Sequence, residues 1–225
     1  MFSMASKQGA VTVSKITAAK EKFCGGQMVL SYRVEYPEFT ASFCVQNLRL
    51  INNFYRQRAD RLMYRVHQCL IPLAIDGYHD AVQNGNPVLP YEVVSEFTVT
   101  QNDGRLLSLY TDCYEFTGGA HGNTVRTSET WNIKKGCRLS LKETCSCADG
   151  RLNDRIKAEI KSQIGKNAEN YFENYEELID QTFNPSQFYV KDGQLVVYFQ
   201  QYDIAPYSTG ITEFVIPASV CTVSA

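Results

Sequence analysis

The chain has 225 residues, which suits one large domain or two small ones at roughly 100–200 residues each. Its 44% hydrophobic and 20% charged content is that of a globular protein and excludes disorder. A net charge of −2 and a pI near 6.0 supply no basic field for nucleic acid. No stretch approaches the roughly 18 apolar residues of a membrane span.

Residues 1–22 (MFSMASKQGAVTVSKITAAKEK) contain no continuous apolar run, so they do not read as a signal peptide. On that reading the chain is expected in the cytoplasm, or equally as the trimmed ectodomain of a longer anchored protein. The next segment alternates: Met28, Leu30, Tyr32, Val34 and Tyr36 fall on one face of a strand. Residues 10–18 read as its partner, with Cys24-Gly25-Gly26 near the turn. Val45, Leu48, Ile51, Tyr55, Ala59, Leu62, Val66 and Cys69 then recur at three- and four-residue steps, predicting one long helix. Pro72 is expected to end or kink it.

Residues 91–100 and 105–116 flank Asn102-Asp103-Gly104, a hairpin signal, and 123–133 supply a third strand. A second helix is predicted from Asp149 as N-cap, with Leu152, Ile156, Ile160 and Ile164 on one stripe and Gly165 at its end. Asn167 to about Phe183 reads as helical again. The last third returns to strands: FYV, a Lys191-Asp192-Gly193 turn, QLVVYF and ITEFVIP. Both halves therefore run strands, helix, strands. The expectation is an α+β fold, two-layer, with helices packed on mainly antiparallel sheets and modules at 1–90 and 91–225.

Two glycine- and proline-shaped segments stand out. Phe116-Thr117-Gly118-Gly119-Ala120-His121-Gly122-Asn123-Thr124 interrupts two strands, its glycines permitting positive φ or a bulge. Tyr202-Asp203-Ile204-Ala205-Pro206-Tyr207-Ser208-Thr209-Gly210 forces a turn after the last hairpin. His121 either meets a partner or holds a sheet corner. Tyr202 and Tyr207 either anchor a partner, as interface aromatics do, or pack beneath the turn.

Together these motifs resemble the C-terminal module shared by the extracytoplasmic region of anti-sigma-V-type lysozyme receptors and the non-catalytic region of peptidoglycan deacetylase C. Residues 10–98 resemble the smaller module that precedes it in those proteins. The resemblance implies an envelope-facing binding or sensor role, with a cationic protein such as lysozyme as ligand. A peptidoglycan- or carbohydrate-binding accessory domain is the alternative. Candidate ligand-binding residues are Gly118, Gly119, His121, Tyr202, Asp203 and Tyr207.

To these we add Glu169, Glu173, Glu176, Glu177 and Asp180, in a stretch without Lys or Arg between Lys166 and Lys191. On one continuous helix they form a negative ridge, able to steer a cationic protein or simply to face solvent.

Cysteines 24, 44, 69, 113, 137, 145, 147 and 221 are irregularly spaced in a chain too large for a small disulfide scaffold. Cys69 and Cys113 lie in apolar patterns, so the expectation is free thiols. Cys137, Cys145 and Cys147, with Cys113, match zinc-ligand spacing poorly, and no metal or cofactor is predicted. The chain has three histidines, His67, His79 and His121, and carries no G-x-S-x-G, H-E-x-x-H or P-loop. The Asp-and-His metal motif of polysaccharide deacetylases is missing as well, so no catalytic residue is assigned. An enzyme built on His121 and Asp203 would require those side chains to converge.

Overall fold

Every strand that faces both a helix layer and a second sheet must be apolar, or internally satisfied, on both sides. The Leu106–Phe116 strand has that composition, and it marks the centre of the molecule. The computed structural model describes residues 9–146 and 149–224. Six strands form the larger sheet in the order β1 (Thr12–Cys24), β2 (Gln27–Thr40), β3 (Tyr91–Asn102), β4 (Leu106–Phe116), β5 (Asn123–Asn132) and β6 (Cys137–Arg138). All neighbours are antiparallel except β2 and β3, which pair parallel from Leu30↔Tyr91 to Val34↔Ser95. A parallel pair needs a long crossover, here supplied by the helical run α1 (Val45–Arg65) and α2 (Ile71–Asn84). The larger sheet thus runs unbroken across residue 90.

A second sheet, β7 (Phe188–Lys191), β8 (Gln194–Phe199) and β9 (Thr212–Ile216), is an antiparallel meander. Each sheet carries helices on one face. Leu48, Ile51 and Tyr55 of α1 pack on Leu107, Leu109 and Trp131. Farther along, Ala59, Val66, Leu70 and Ala74 pack on Leu30, Tyr32, Val34 and Val93. In the second unit α4 (Leu152–Ile164) lays Leu152, Ile156, Ile160 and Ile164 against Leu195, Val197, Phe199, Phe214 and Ile216. The other faces of the two sheets meet. Val190 accepts from Thr100 Oγ1 at 2.6 Å through its carbonyl and donates to Ser108 Oγ at 2.9 Å through its amide. The α+β expectation holds as two helix-on-sheet units joined through their sheets.

Local departures from the sequence reading have physical causes. The helix does not stop near Pro72. A π-helical turn, Val66–Leu70, precedes it, and Pro72 follows directly in the first turn of α2, the wider turn absorbing the break in the i→i−4 ladder. The wider turn shifts the phase, so Leu70 is buried where Cys69 was expected, and Cys69 is exposed. Asp149 is not the N-cap of α4, which starts after Arg151. Its carboxylate instead accepts from the Arg151 amide at 2.9 Å and pairs with Arg155 at 3.0 Å. A short helix that the sequence reading missed, α3 (Leu141–Thr144), is closed by a capping box between Ser140 and Glu143.

The predicted helix from Asn167 to Phe183 is broken. A 3₁₀ turn, Ala168–Asn170, leads into a loop, and only α5 (Tyr175–Thr182) is helical. Phe172 N–H donates to the Ile204 carbonyl at 3.1 Å, and the Tyr171 ring lies 6.2 Å from that of Phe214. These tertiary bonds outweigh helix propensity there.

The free-thiol expectation also fails at one pair. Cys145 and Cys221 form a disulfide across 76 residues, buried in the core of the second unit. Ser146 and Thr144 pair with Thr222 and Ser224 on either side, so the bond staples the last strand-like residues to α3. With its sulfur so engaged, Cys145 offers no thiolate for zinc; Cys147 lies outside the described residues. Cys24, Cys44, Cys69, Cys113 and Cys137 are free.

Closing a loop of that length removes enough unfolded-chain entropy to contribute about 4 kcal/mol. Reduction, or the C145S/C221S double variant, is expected to lower unfolding free energy by about that amount in urea, followed by fluorescence of Trp131. Coincident unfolding curves for oxidised and reduced protein would contradict this role for the disulfide.

Candidate functional site

The two sheets meet around one buried cation. Arg126, on β5, faces away from α1 and into the junction. Its Nε and Nη2 donate to Asp112 Oδ1 and Oδ2 at 2.7 Å each, and Nη1 donates to Glu213 of β9. The guanidinium stacks 3.7 Å above the Tyr110 ring. Burial works against its charge, but the Asp112 bonds and the Glu213 field raise its pKa above the ordinary arginine value. Beside it the Tyr198 hydroxyl, bonded with Ser128, is pushed up to about 12, chiefly by burial.

The outward backbone edge of β5 is closed by side chains of the second unit. Gln200 accepts from the Arg126 amide at 2.9 Å and donates to its carbonyl at 2.7 Å, mimicking a neighbouring strand. Gln201 accepts from Thr124 N–H at 2.7 Å. These bonds carry the Tyr202–Gly210 segment to the Gly118–Gly122 loop. Gly118 and Gly119 sit at φ 98° and 91°, values a side chain would oppose. Gly122 is required for space, since a Cβ there would lie 2.4 Å from the Tyr114 ring.

The two motifs of the sequence therefore form one corner. The His121 ring stacks on Tyr207 at 3.8 Å between centroids and 18° between planes. Tyr202 lies 5.8 Å from Tyr207, and its hydroxyl contacts His121 Nε2 at 3.4 Å. Nδ1 of His121 contacts the Gly122 carbonyl at 3.0 Å. Tyr202 is half exposed and adopts φ 67°, a left-handed conformation that costs a non-glycine residue about 1 kcal/mol or more. The Gln200–Asp203 turn holds it there: Asp203 Oδ2 accepts from Gln200 N–H at 2.8 Å. Burial raises the Asp203 pKa against that bond. Asp203 bonds with Gln200 while His121 bonds with Gly122 and Tyr202, so the pair required for an enzyme reading does not meet.

The acidic residues are divided. Glu169 lies in the 3₁₀ turn and Glu173 in the loop after it, while Glu176, Glu177 and Asp180 lie on α5. Asp180 is not a free charge, because Lys157 and Lys161 of α4 hold it at 2.8 and 2.7 Å and lower its pKa to about 2. Glu177 accepts from Gln181 at 2.8 Å. The 168–173 segment does border the corner, since Thr209 Oγ1 donates to the Asn170 carbonyl at 3.1 Å. Elsewhere, His67 contacts the Tyr32 hydroxyl at 3.2 Å and His79 approaches Cys24 at 4.0 Å. No three His, Cys, Asp or Glu side chains cluster as metal ligands among the described residues. Sequence reasoning missed Arg126, for which the run Asp112…Arg126…Glu213 offers no local signal.

The fold and the corner define an α+β protein of two helix-backed sheets with an aromatic patch at their junction. Comparison with known proteins agrees with the resemblance read from the motifs. Residues 25–124 match the family model described as Deacetylase PdaC, and residues 147–219 match that of a protein of unknown function, DUF3298. His121 lies in the first region and Tyr202 and Tyr207 in the second, so the corner forms where the two meet. The second region lies wholly within the disulfide-closed loop. A DUF3298 family member from Bacteroides fragilis NCTC 9343 has a similar crystal structure, with TM-score 0.66 and 17% identity over 98% of this chain and 96% of that one. One from Pseudomonas aeruginosa PAO1 gives 0.67 and 16% over 96% and 94%. At these identities the likeness is one of fold. No curated protein matches the chain.

Two measurements check the site's electrostatics. The R126M variant leaves Asp112 and Glu213 half-buried without a cation, and we expect it to cost at least about 2 kcal/mol in urea unfolding; a loss within error of zero would contradict that role. The Asp180 carboxyl is expected to titrate near 2 by NMR, and near its usual 3.8 in K157M/K161M. Because the folded value is the depressed one, its stabilisation is complete above about 3.8 and fades as pH falls towards 2. An Asp180 midpoint that does not move in the double variant would refute the pairing.

Proposed function

We propose that this chain is a non-catalytic recognition module that binds a cationic protein, lysozyme being the specific candidate, through the His121–Tyr202–Tyr207 corner. The observation that carries this reading is the convergence of two motifs, 81 residues apart between His121 and Tyr202, on one surface patch. Tyrosines with rigid backing are the residues from which interface hot spots are built. Stacking against His121 and the Gln200–Asp203 turn restrict the two rings, so little freedom is lost on binding. Glu169 and Glu173 beside the patch, with Glu176 and Glu177 on α5, provide the complementary field.

The Cys145–Cys221 disulfide supports an envelope-facing location, because such bonds persist in oxidising compartments. The deacetylase activity in one family's description is not carried to this chain, whose sequence lacks the Asp-and-His metal motif.

Calorimetry with hen lysozyme tests the proposal. Binding is expected to weaken as salt rises. Y202A and Y207A should each reduce affinity tenfold or more, a change of about 1.4 kcal/mol. E169Q/E173Q/E176Q should flatten the salt dependence. Absence of heat up to high micromolar lysozyme would end the lysozyme reading. Retention on insoluble peptidoglycan in that case would move the assignment to a carbohydrate-binding accessory domain.

A further inference from the structure

The core beneath α1 falls into two clusters bridged by Tyr36. One cluster is centred on Tyr55 and Trp131 and another on Ala59 and Val66, and between them lies a cavity of about 210 Å³. Strand register explains the gap. Ser95 is paired with Cys113 and Thr111 with Thr127, so small or hydroxylated side chains occupy the centre of a sheet face that is otherwise apolar. Above them the helix presents Ala59. The space is partly open to solvent rather than sealed, so a small molecule can enter it.

Ser95 and Thr111 are each more than nine-tenths buried, and neither hydroxyl has a hydrogen-bond partner among the described residues. Both line the cavity. Water alone fills it poorly. At about 30 Å³ each, roughly seven molecules would need two to four polar partners apiece. The polar wall residues are Glu35, Tyr36, Tyr55, Arg58, Ser95, Thr111 and Thr127, of which Arg58 is committed to Glu129 at 2.9 Å and to Thr127, Tyr55 to Glu129 and Trp131, and Glu35 to Lys15 and Arg33. Arg58 is matched by Glu129, and Glu35 by Lys15 and Arg33, which removes the pull on a charged ligand. The remaining walls include Val34 and Leu62.

We propose that this cavity binds a small neutral amphiphile, with an apolar body and one hydroxyl or carbonyl group met by Ser95 and Thr111. A cavity of about 150 Å³ takes benzene, so this one takes roughly eight heavy atoms. The site is separate from the His121–Tyr202–Tyr207 corner, and its test does not depend on that reading.

The probes are 1-heptanol, n-octane and heptanoate, with the thermal midpoint and the amide NMR signals of Val34, Ser95 and Thr111 as readouts. Heptanol is expected to raise the midpoint saturably and to shift those signals, at least threefold more tightly than octane and more tightly than heptanoate. Ser95→Ala and Thr111→Val should each erase the preference for heptanol over octane. Ala59→Leu fills the space and should abolish the saturable response. No saturable effect of heptanol on the wild-type chain, or an equal one in folded Ala59→Leu, would overturn the assignment. Should Ala59→Leu not fold, an unchanged alcohol preference in both hydroxyl variants would overturn it equally.

Discussion

Arg126 is the constraint on which the arrangement of the two units depends. A guanidinium removed from water is tolerable only if its donors are met, and Asp112 of the first unit and Glu213 of the second meet them together. Its own backbone is bound by Gln200, so one residue joins the units through both side chain and main chain. That junction sets where the segment after β8 can run, and hence where Tyr202 and Tyr207 lie relative to His121. The aromatic corner is a consequence of how the sheets are joined.

The same economy governs the strands of the junction. β4 and β5 face α1 with Leu107, Leu109, Glu129 and Trp131, and face the second sheet with Ser108, Tyr110, Arg126 and Ser128. One face is sealed mainly by apolar packing and the other by hydrogen bonds. Glu129 is the charged exception of these two strands on the helical side: burial raises its pKa, against Arg58 and the Tyr55 hydroxyl that hold its charge. Polar groups at this depth need satisfied partners, which makes the sheet-to-sheet contact specific in register. The disulfide closes the far end, so the second unit is held both to the first and to itself.

Much of this was legible in the sequence. The alternation at Met28–Tyr36, the Asn102-Asp103-Gly104 turn and the isoleucine stripe of α4 are local signals, and each element formed where its period placed it. The two motifs were visible as unusual segments, because glycine and proline mark backbone that regular structure does not use. Their meeting was not visible, since contact across 81 residues depends on topology. Asp180 shows the same limit: its helical face was readable, while Lys157 and Lys161, which consume its charge, belong to another helix.

The sequence by itself determined most of the element types, the α+β class and the two glycine- and proline-shaped segments, because these follow from side-chain period and from the backbone freedom of single residues. Only the tertiary structure decided that Cys145 pairs with Cys221, that Phe172 and Tyr171 break the predicted acidic helix, that the π-turn rotates Cys69 into solvent, and that Arg126 binds the sheets together. Each of those outcomes is a competition between a local preference and a partner distant in the chain. The distant partner prevails wherever burial makes an unmet bond more costly than a lost turn of helix.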